Sequence, residues 1–399
     1  MCREFIKNIP WSGVGVCYTE EEIKFVAEVM RSTRDSFSQG KYLDKFENDF
    51  CKYNGNAHAF AVSSCTAALE LSATLSGVGP GDEVVIPAHT FCASAISFAR
   101  KGVKIVWADI DPDTLVVTAE TLSEKITSKT KVIVVVHLYG LAADMPPIME
   151  LASKKNIIVV EDCAQALGAK SNGKKAGTYG DFGCFSFHTH KNISTLGEGG
   201  ILTVKDPKLS KLVPGLRHNG LRGFDESREY YWIPAMGNVD FDIDNVWPYN
   251  FCIGEVQCAL GDALLNRIDD LIEKRKKRGL KFINALNEYN ELIFQKIPDG
   301  QTSSWHLLPA RYDGKQWGKT KNDFIEEAFN KYKIKMAVQY YPLYRYPIFQ
   351  KAGLGDANCP ATEAFFDNMV SFPFHSWMPD DDFDYMINAT IEVLEKLRK

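Results

Sequence analysis

At 399 residues the chain is longer than one hydrophobic core usually supports, so two domains in one compact subunit are expected. Hydrophobic residues at 45% and charged residues at 24% are the composition of a folded globular protein and exclude bulk disorder. A formal net charge of -5, from 46 Lys+Arg against 51 Asp+Glu, offers no general field for a nucleic-acid backbone, so nucleic acid is not an expected partner. The ten cysteines form no C-x-x-C pair and no zinc-type or disulfide-type cluster; most are expected to be reduced and buried, and no metal is expected. The opening MCREFIKNIPWSG lacks the basic and apolar segments of a signal peptide, and no apolar run approaches the ~20 residues of a membrane span. A cytoplasmic enzyme with no membrane partner is the simplest expectation.

From about residue 56 to 205, short β-branched runs alternate with helical patterns, which is how parallel βαβ units read. Strands are expected at Val84 to Ile86, Lys104 to Trp107, Val132 to Val136 and Ile157 to Val160. Each is short and nearly all apolar, as suits strands covered by helices on both faces. Helical character falls at Phe91 to Arg100, Ala119 to Ile126 and Pro146 to Lys154. The stretch Leu221 to Pro248, rich in aromatic and acidic residues, reads as a long connection of the kind that tends to be functional or mobile. At Asn266 the pattern changes to a long charged amphipathic helix followed by short strands and more helices. The expected division is therefore a large domain over 1–265 and a smaller α+β domain over 266–399. Within that helix, the six charged residues Glu273 to Arg278 read as a solvated face and not as a nucleic-acid patch.

Three features on the βα units suit one cofactor. In Ser63-Ser-Cys-Thr-Ala-Ala-Leu69 a strand ending at Val62 runs through hydroxyl residues into a helix, a start whose free N–H groups and dipole attract an anion. The Ser64 and Thr66 hydroxyls can add hydrogen bonds to that anion, although Ser and Thr are also ordinary helix caps. Glu161-Asp162-Cys163-Ala164-Gln165 follows a strand at the carboxyl edge of the sheet, where ligands bind. A carboxylate fixed there can hold a pyridine nitrogen protonated; the bland reading of Asp162 is a helix cap. In the run Phe185 to Gly200, Lys191 lies in a polar, glycine-ended loop among aromatic and histidine neighbours. A lysine stripped of water loses its proton more readily and can form an imine with an aldehyde. His188 and His190 have a plain reading as loop or core histidines, and His190 is taken that way.

These blocks resemble the signatures of the DegT/StrS family of pyridoxal-phosphate sugar aminotransferases. The resemblance covers most of the chain: it includes PGDEVVIPAHTF at 80–91, ADIDPDTL at 108–115, VHLYGLAADM at 136–145, LRHNG at 216–220 and YNFCIGEVQCALG at 249–261. It implies an aspartate-aminotransferase-like α/β fold, a mostly parallel sheet flanked by helices with a smaller C-terminal domain, and an active site at a homodimer interface. It makes Lys191 the residue that carries pyridoxal 5'-phosphate and moves the proton. It places Asp162 beside the ring nitrogen, Gln165 near the phenolic oxygen and Phe91 against the ring. Cys65, Thr66 and Ser186, with Ser64 and His188, fall at cofactor-binding positions, and Asn250 at one that reaches the phosphate from the other subunit.

The implied reaction takes the amino group of glutamate, through pyridoxamine phosphate, to the keto carbon of a nucleotide-linked sugar. A keto-inositol is the rival acceptor, and a non-catalytic regulatory protein is the reading from another class. Two departures from the family pattern stand out. Many relatives have Gly where this chain has Cys65, which leaves a backbone phosphate contact intact. The run Gln339-Tyr-Tyr-Pro-Leu-Tyr344 replaces histidines found near the substrate in many relatives, and so leaves substrate choice open.

Overall fold

The computed structural model describes residues 7–11, 15–32, 40–221 and 246–399. Of the connection expected over Leu221 to Pro248, residues 222–245 lie outside the described residues. The alternating pattern yields β1 (Ala59–Val62), β2 (Glu83–Pro87), β3 (Lys104–Ala108), β4 (Thr130–Val136) and β5 (Ile158–Asp162). A short hairpin of β6 (Lys170–Ser171) and β7 (Lys174–Lys175) follows, and then β8 (Phe182–Ser186) and β9 (Gly200–Val204). Seven of these form one sheet in the order β1-β9-β8-β5-β4-β2-β3. Its pairs from β3 through β2, β4 and β5 to β8 are parallel, while β9 is antiparallel to both β8 and β1. β1 consequently runs with the parallel strands, and the carboxyl ends of six strands share one edge, where β9 begins.

The near-continuous apolar runs are explained by cover on both faces: every residue of β2, β8 and β9 is buried. The helix Cys65–Leu75 packs on β8 and β9 and is buried almost all round, which its small residues Ala67, Ala68 and Ala73 permit. The C-terminal part adds the helix Ile268–Ala285, an antiparallel sheet of β10 (Leu292–Phe294), β11 (Leu308–Tyr312) and β12 (Met369–Phe372), and the helix Asp380–Leu397. These elements enclose a second apolar cluster around Phe282, Phe324 and Phe372. The two parts exchange segments: Ile9 joins the second cluster by pairing with Ile334, while Leu343, Phe349 and Phe365 join the first.

The charged run in the helix Ile268–Ala285 departs from its reading as a solvated face. Lys274, Lys276 and Lys277 are exposed, but Arg275 and Arg278 are only 2% and 8% exposed. Their i, i+3 spacing puts them on the inward side of the helix with Gly279 and Phe282. Among the nine described cysteines none is in a disulfide, and five are buried. No helix among the described residues is long and apolar enough to cross a membrane.

Candidate active site

A cavity of about 500 Å³ opens at the shared carboxyl edge of the sheet. It brings together Ser64, Cys65, Thr66, Phe91, Asp162, Gln165, Ser186, His188 and Lys191, nine of the ten residues singled out in the sequence. The tenth, Asn250, is exposed, bridges His218 across a short antiparallel contact, and does not line the cavity of its own subunit.

At the start of the helix Cys65–Leu75, Ser64 is extended and its hydroxyl accepts from the Ala67 N–H at 3.1 Å, so this side chain caps the helix. The Cys65 and Thr66 N–H groups, which a helix cannot satisfy internally, stand at the cavity. Gly200 makes this junction possible, because a Cβ there would lie 2.4 Å from the Ser64 carbonyl carbon and 2.6 Å from the Cys65 nitrogen. The Cys65 thiol is buried, which pushes its pKa well above the ordinary range and keeps it protonated.

Asp162 ends β5 and is only 5% exposed. One oxygen accepts from the Ser94 hydroxyl at 2.7 Å, and the other accepts from the Ala164 N–H at 3.0 Å, which fixes the group without an ion pair among the described residues. Its neighbour Glu161 points to the opposite side of the strand. There it accepts the N–H groups of Gly177, Tyr179 and Gly180 at 2.8, 2.8 and 2.6 Å, together with His137 Nε2 at 2.9 Å. His137 Nδ1 accepts the Ala143 N–H at 3.0 Å, so the neutral ring carries its proton on Nε2. His137, Glu161 and Cys163 have metal-ligand spacing, but the acceptor capacity of Glu161 is already taken by these four donors, and the trio is a structural knot behind Asp162.

Lys191 follows β8 in a tight turn, its N–H donating to the His188 carbonyl at 2.8 Å. The N-terminal segment crosses directly over this turn: the Gly15 N–H donates to the Thr189 carbonyl, and a Cβ at Gly15 would lie 1.9 Å from the Lys191 carbonyl oxygen. Burial lowers the Lys191 pKa, with the charges of Asp162 and Glu198 partly offsetting it. A neutral amine is therefore easier to reach here than at the protein surface. His188 Nδ1 accepts the His190 N–H at 3.3 Å, and His188 Nε2 lies 3.6 Å from a Glu198 carboxylate oxygen. Ser186 accepts the His188 N–H at 3.3 Å. His190 lines the cavity too, exposed at its rim, and burial of its ring lowers its pKa.

Gln165 spends both ends of its amide within the protein, accepting the Tyr139 N–H at 2.8 Å and donating to Tyr340 Oη at 2.9 Å. Tyr139 donates its hydroxyl to the Gln339 carbonyl at 2.6 Å and receives His89 Nε2 at 2.7 Å, so the backbone and the ring of one buried tyrosine hold both Gln165 and the 339–340 segment. Gln339 and Tyr340 do line the cavity. Tyr344, at the other end of that run, does not: it is buried against Trp107 and donates to Glu363 at 2.6 Å. The ring of Phe91 is 56% exposed at the cavity and meets Tyr340 edge-on, with centroids 6.1 Å apart.

Sequence reasoning missed Ser94 and the far wall, where Arg275, His306, Phe374 and His375 line the cavity. His306 is buried beside Lys191 and Arg275, and burial holds its pKa well below the ordinary value, leaving a neutral ring whose Nδ1 is 3.4 Å from Asn192 Oδ1. The i, i+3 spacing was a usable signal for Arg275. Nothing local marks the others.

The residues present fit pyridoxal phosphate. Unsatisfied helix N–H groups suit its phosphate, a fixed carboxylate without a cation suits its ring nitrogen, an exposed aromatic face suits its ring, and an amine of lowered pKa suits its aldehyde.

Comparison with known proteins agrees. The family model described as DegT/DnrJ/EryC1/StrS aminotransferase family matches residues 16–391. The spore coat polysaccharide biosynthesis protein SpsC of Bacillus subtilis is 32% identical over 94% of this chain and 95% of its own length. The GDP-perosamine synthase of Caulobacter vibrioides is 33% identical over 94% and 95%. Among solved structures, the PLP-form of Spr1654 from Streptococcus pneumoniae superimposes with a TM-score of 0.85 at 29% identity, covering 98% of this chain and 100% of that one.

Proposed function

From the premise that this chain belongs to the DegT/DnrJ/EryC1/StrS aminotransferase family, and so is an aminotransferase of the sugar-aminotransferase kind, we propose that it moves an amino group from glutamate to the keto group of a nucleotide-linked sugar. The observation that carries the proposal is the placement of Lys191 and Asp162 on one cavity beside a helix start with free N–H groups. When bound, pyridoxal phosphate supplies an aldehyde that exchanges amines and a pyridinium ring that takes up the electrons of the carbon losing its proton.

The chain's residues do the rest. The Cys65 and Thr66 N–H groups, with the Thr66 and Ser186 hydroxyls, hold the phosphate, while Ser64 contributes by fixing the helix start. Asp162, immobilised by Ser94 and Ala164, keeps a proton on the ring nitrogen. Phe91 would offer its exposed face to the ring, Gln165, held by Tyr139 and Tyr340, would border the phenolic oxygen, and His188 borders the Lys191 turn. Lys191 Nζ would hold the aldehyde of the cofactor and, as a free amine of lowered pKa, would serve as the group that takes up and returns the proton. The exposed position of Asn250 away from its own cavity supports a homodimer in which the partner subunit's Asn250 completes the phosphate site. The second apolar cluster, drawn from residues after 265 apart from Ile9, supports a division of the chain at 265/266, with residues 343–369 returning to the first cluster. The free cysteines and the lack of a spanning helix among the described residues support a cytoplasmic enzyme.

The test is an activity panel with glutamate as donor, comparing keto-sugar nucleotides with keto-inositols. Turnover of a keto-sugar nucleotide is expected. Inactivity on all of them alongside turnover of a keto-inositol would replace the acceptor, and loss of every transamination would point to a regulatory role for the fold.

A further inference from the structure

The wall of the cavity facing away from the sheet carries a charge that no carboxylate of its own neutralises. Arg275 is 2% exposed, and all of its hydrogen bonds go to backbone carbonyls: Nε to Trp305 at 2.6 Å, and Nη2 to His306 at 2.5 Å and Phe374 at 3.0 Å. Its guanidinium carbon lies 4.8 Å from the centre of the Phe374 ring, so one face is covered as well. The remaining nitrogen, Nη1, is closed to solvent and has no hydrogen-bond partner among the described residues. The neighbouring guanidinium of Arg278 is matched by Asp380 at 2.6 Å, whereas Arg275 pairs with no carboxylate among the described residues. Burial and the Arg278 charge press the Arg275 pKa down, yet a guanidinium stays charged at neutral pH.

His375 stands on the same wall and is 4% exposed. Among the described residues both of its ring nitrogens lack a hydrogen-bond partner, while its carbonyl is gripped by Arg278 Nη1 at 2.9 Å. The two arginines thus clamp the 374–375 backbone and leave one N–H edge of Arg275 and both nitrogens of His375, whose ring face stacks on Trp377 with centroids 3.8 Å apart, unused beside the cavity. Burying an uncompensated cation and three orphaned nitrogens is costly, and natural proteins keep such an arrangement where a ligand completes it.

We propose that Arg275 and His375 form the subsite that receives a carboxylate of the amino donor. A single free N–H edge beside a neutral imidazole suits a carboxylate better than a phosphate, whose greater charge calls for more donors. The apolar Leu307 and Phe374 beside it suit the methylene chain of a dicarboxylic amino acid. The acidic residues of the lining, Asp162 and Glu198, sit at the end of β5 and just before β9, beside Lys191, and neither pairs with Arg275. The proposal rests on the donor reading above, but it can fail separately from it.

The test is calorimetric titration of the pyridoxal-phosphate-loaded enzyme with glutarate, a dicarboxylate with no amine to react, and separately with UDP. Arg275→Met should weaken glutarate at least about tenfold and Arg275→Lys several-fold, because the lysine keeps the charge but loses the fork; His375→Leu should weaken it about threefold or more. UDP affinity should stay within about twofold throughout. Since Arg275 also holds three carbonyls, His375→Leu, whose imidazole makes no hydrogen bond to lose, decides the matter if the arginine variants do not fold. Unchanged glutarate binding in folded variants, no glutarate binding by the wild type, or loss of UDP alone would overturn the assignment. Arginine-dependent glutarate binding in an enzyme that accepts no amine from glutamate would instead retire the donor reading and leave the subsite standing.

Discussion

Replacing Glu161 by Gln removes one charge and two acceptor positions from the knot behind Asp162, and the structure shows what must follow. One carboxylate oxygen of Glu161 accepts the Tyr179 and Gly180 N–H groups, and the other accepts the Gly177 N–H and His137 Nε2. If the amide oxygen of glutamine faces Tyr179 and Gly180, its NH2 meets the Gly177 N–H, and His137 can adapt only by moving its proton to Nδ1 and abandoning the Ala143 N–H. If the amide turns the other way, Tyr179 and Gly180 are orphaned. Either orientation leaves two buried N–H groups unsatisfied, each costing about 1–3 kcal/mol, so a loss of about 2–6 kcal/mol is expected, a large part of the stability of an ordinary domain. Urea unfolding followed by circular dichroism measures it, with the slope held as a check on cooperativity. A midpoint shift worth less than about 1 kcal/mol would refute the hydrogen-bond bookkeeping at this residue.

Gly200→Ala should drive the start of β9 from the first turn of the helix Cys65–Leu75, costing about 1–3 kcal/mol and weakening pyridoxal phosphate in equilibrium dialysis; unchanged cofactor affinity would separate that junction from the phosphate site. Ser94→Ala should leave the fold intact at a cost of about 1–3 kcal/mol but free one oxygen of Asp162, lowering kcat about tenfold, whereas full turnover would remove Ser94 from the positioning of Asp162. Acid should destabilise the fold. Burial depresses His375 to about 4 and His89 to about 3, so below their unfolded pKa near 6.5 the unfolded chain binds protons that the folded chain does not. Stability should therefore fall as pH drops from about 6.5 toward 4, by up to about 1.4 kcal/mol per pH unit for each histidine. His375→Leu should remove one share of that slope, and an identical slope in the variant would contradict the assignment.

The sheet was legible because strands covered on both faces must be apolar throughout, as Val132 to Val136 are, and because the chemistry sits where those strands end. Asp162 and Lys191 could be found for that reason. Ser64 could be read two ways, and the structure gives its hydroxyl to the helix cap. The arginines of the run 273–278 were hidden by their lysine neighbours; only the three-residue spacing toward Gly279 and Phe282 betrays an inward face. Their partners, the carbonyls of Trp305, His306, Phe374 and His375, lie about a hundred residues away or less along the chain but in no local pattern. Tyr344 illustrates the opposite error of position: it belongs to a run at the cavity, yet the turn Leu343–Arg345 buries its ring against Trp107 and carries its hydroxyl to Glu363.

The central claim is that Lys191 carries the cofactor and exchanges its amine with glutamate. The absorbance spectrum of the purified protein with pyridoxal phosphate, before and after glutamate, tests it most directly, with Lys191→Ala alongside. The wild type should show the visible band of the lysine-bound cofactor, lose it to a near-ultraviolet band on adding glutamate, and show neither behaviour in the variant. A wild-type protein that develops no visible band, or a Lys191→Ala variant that develops the same band and responds to glutamate in the same way, would contradict it.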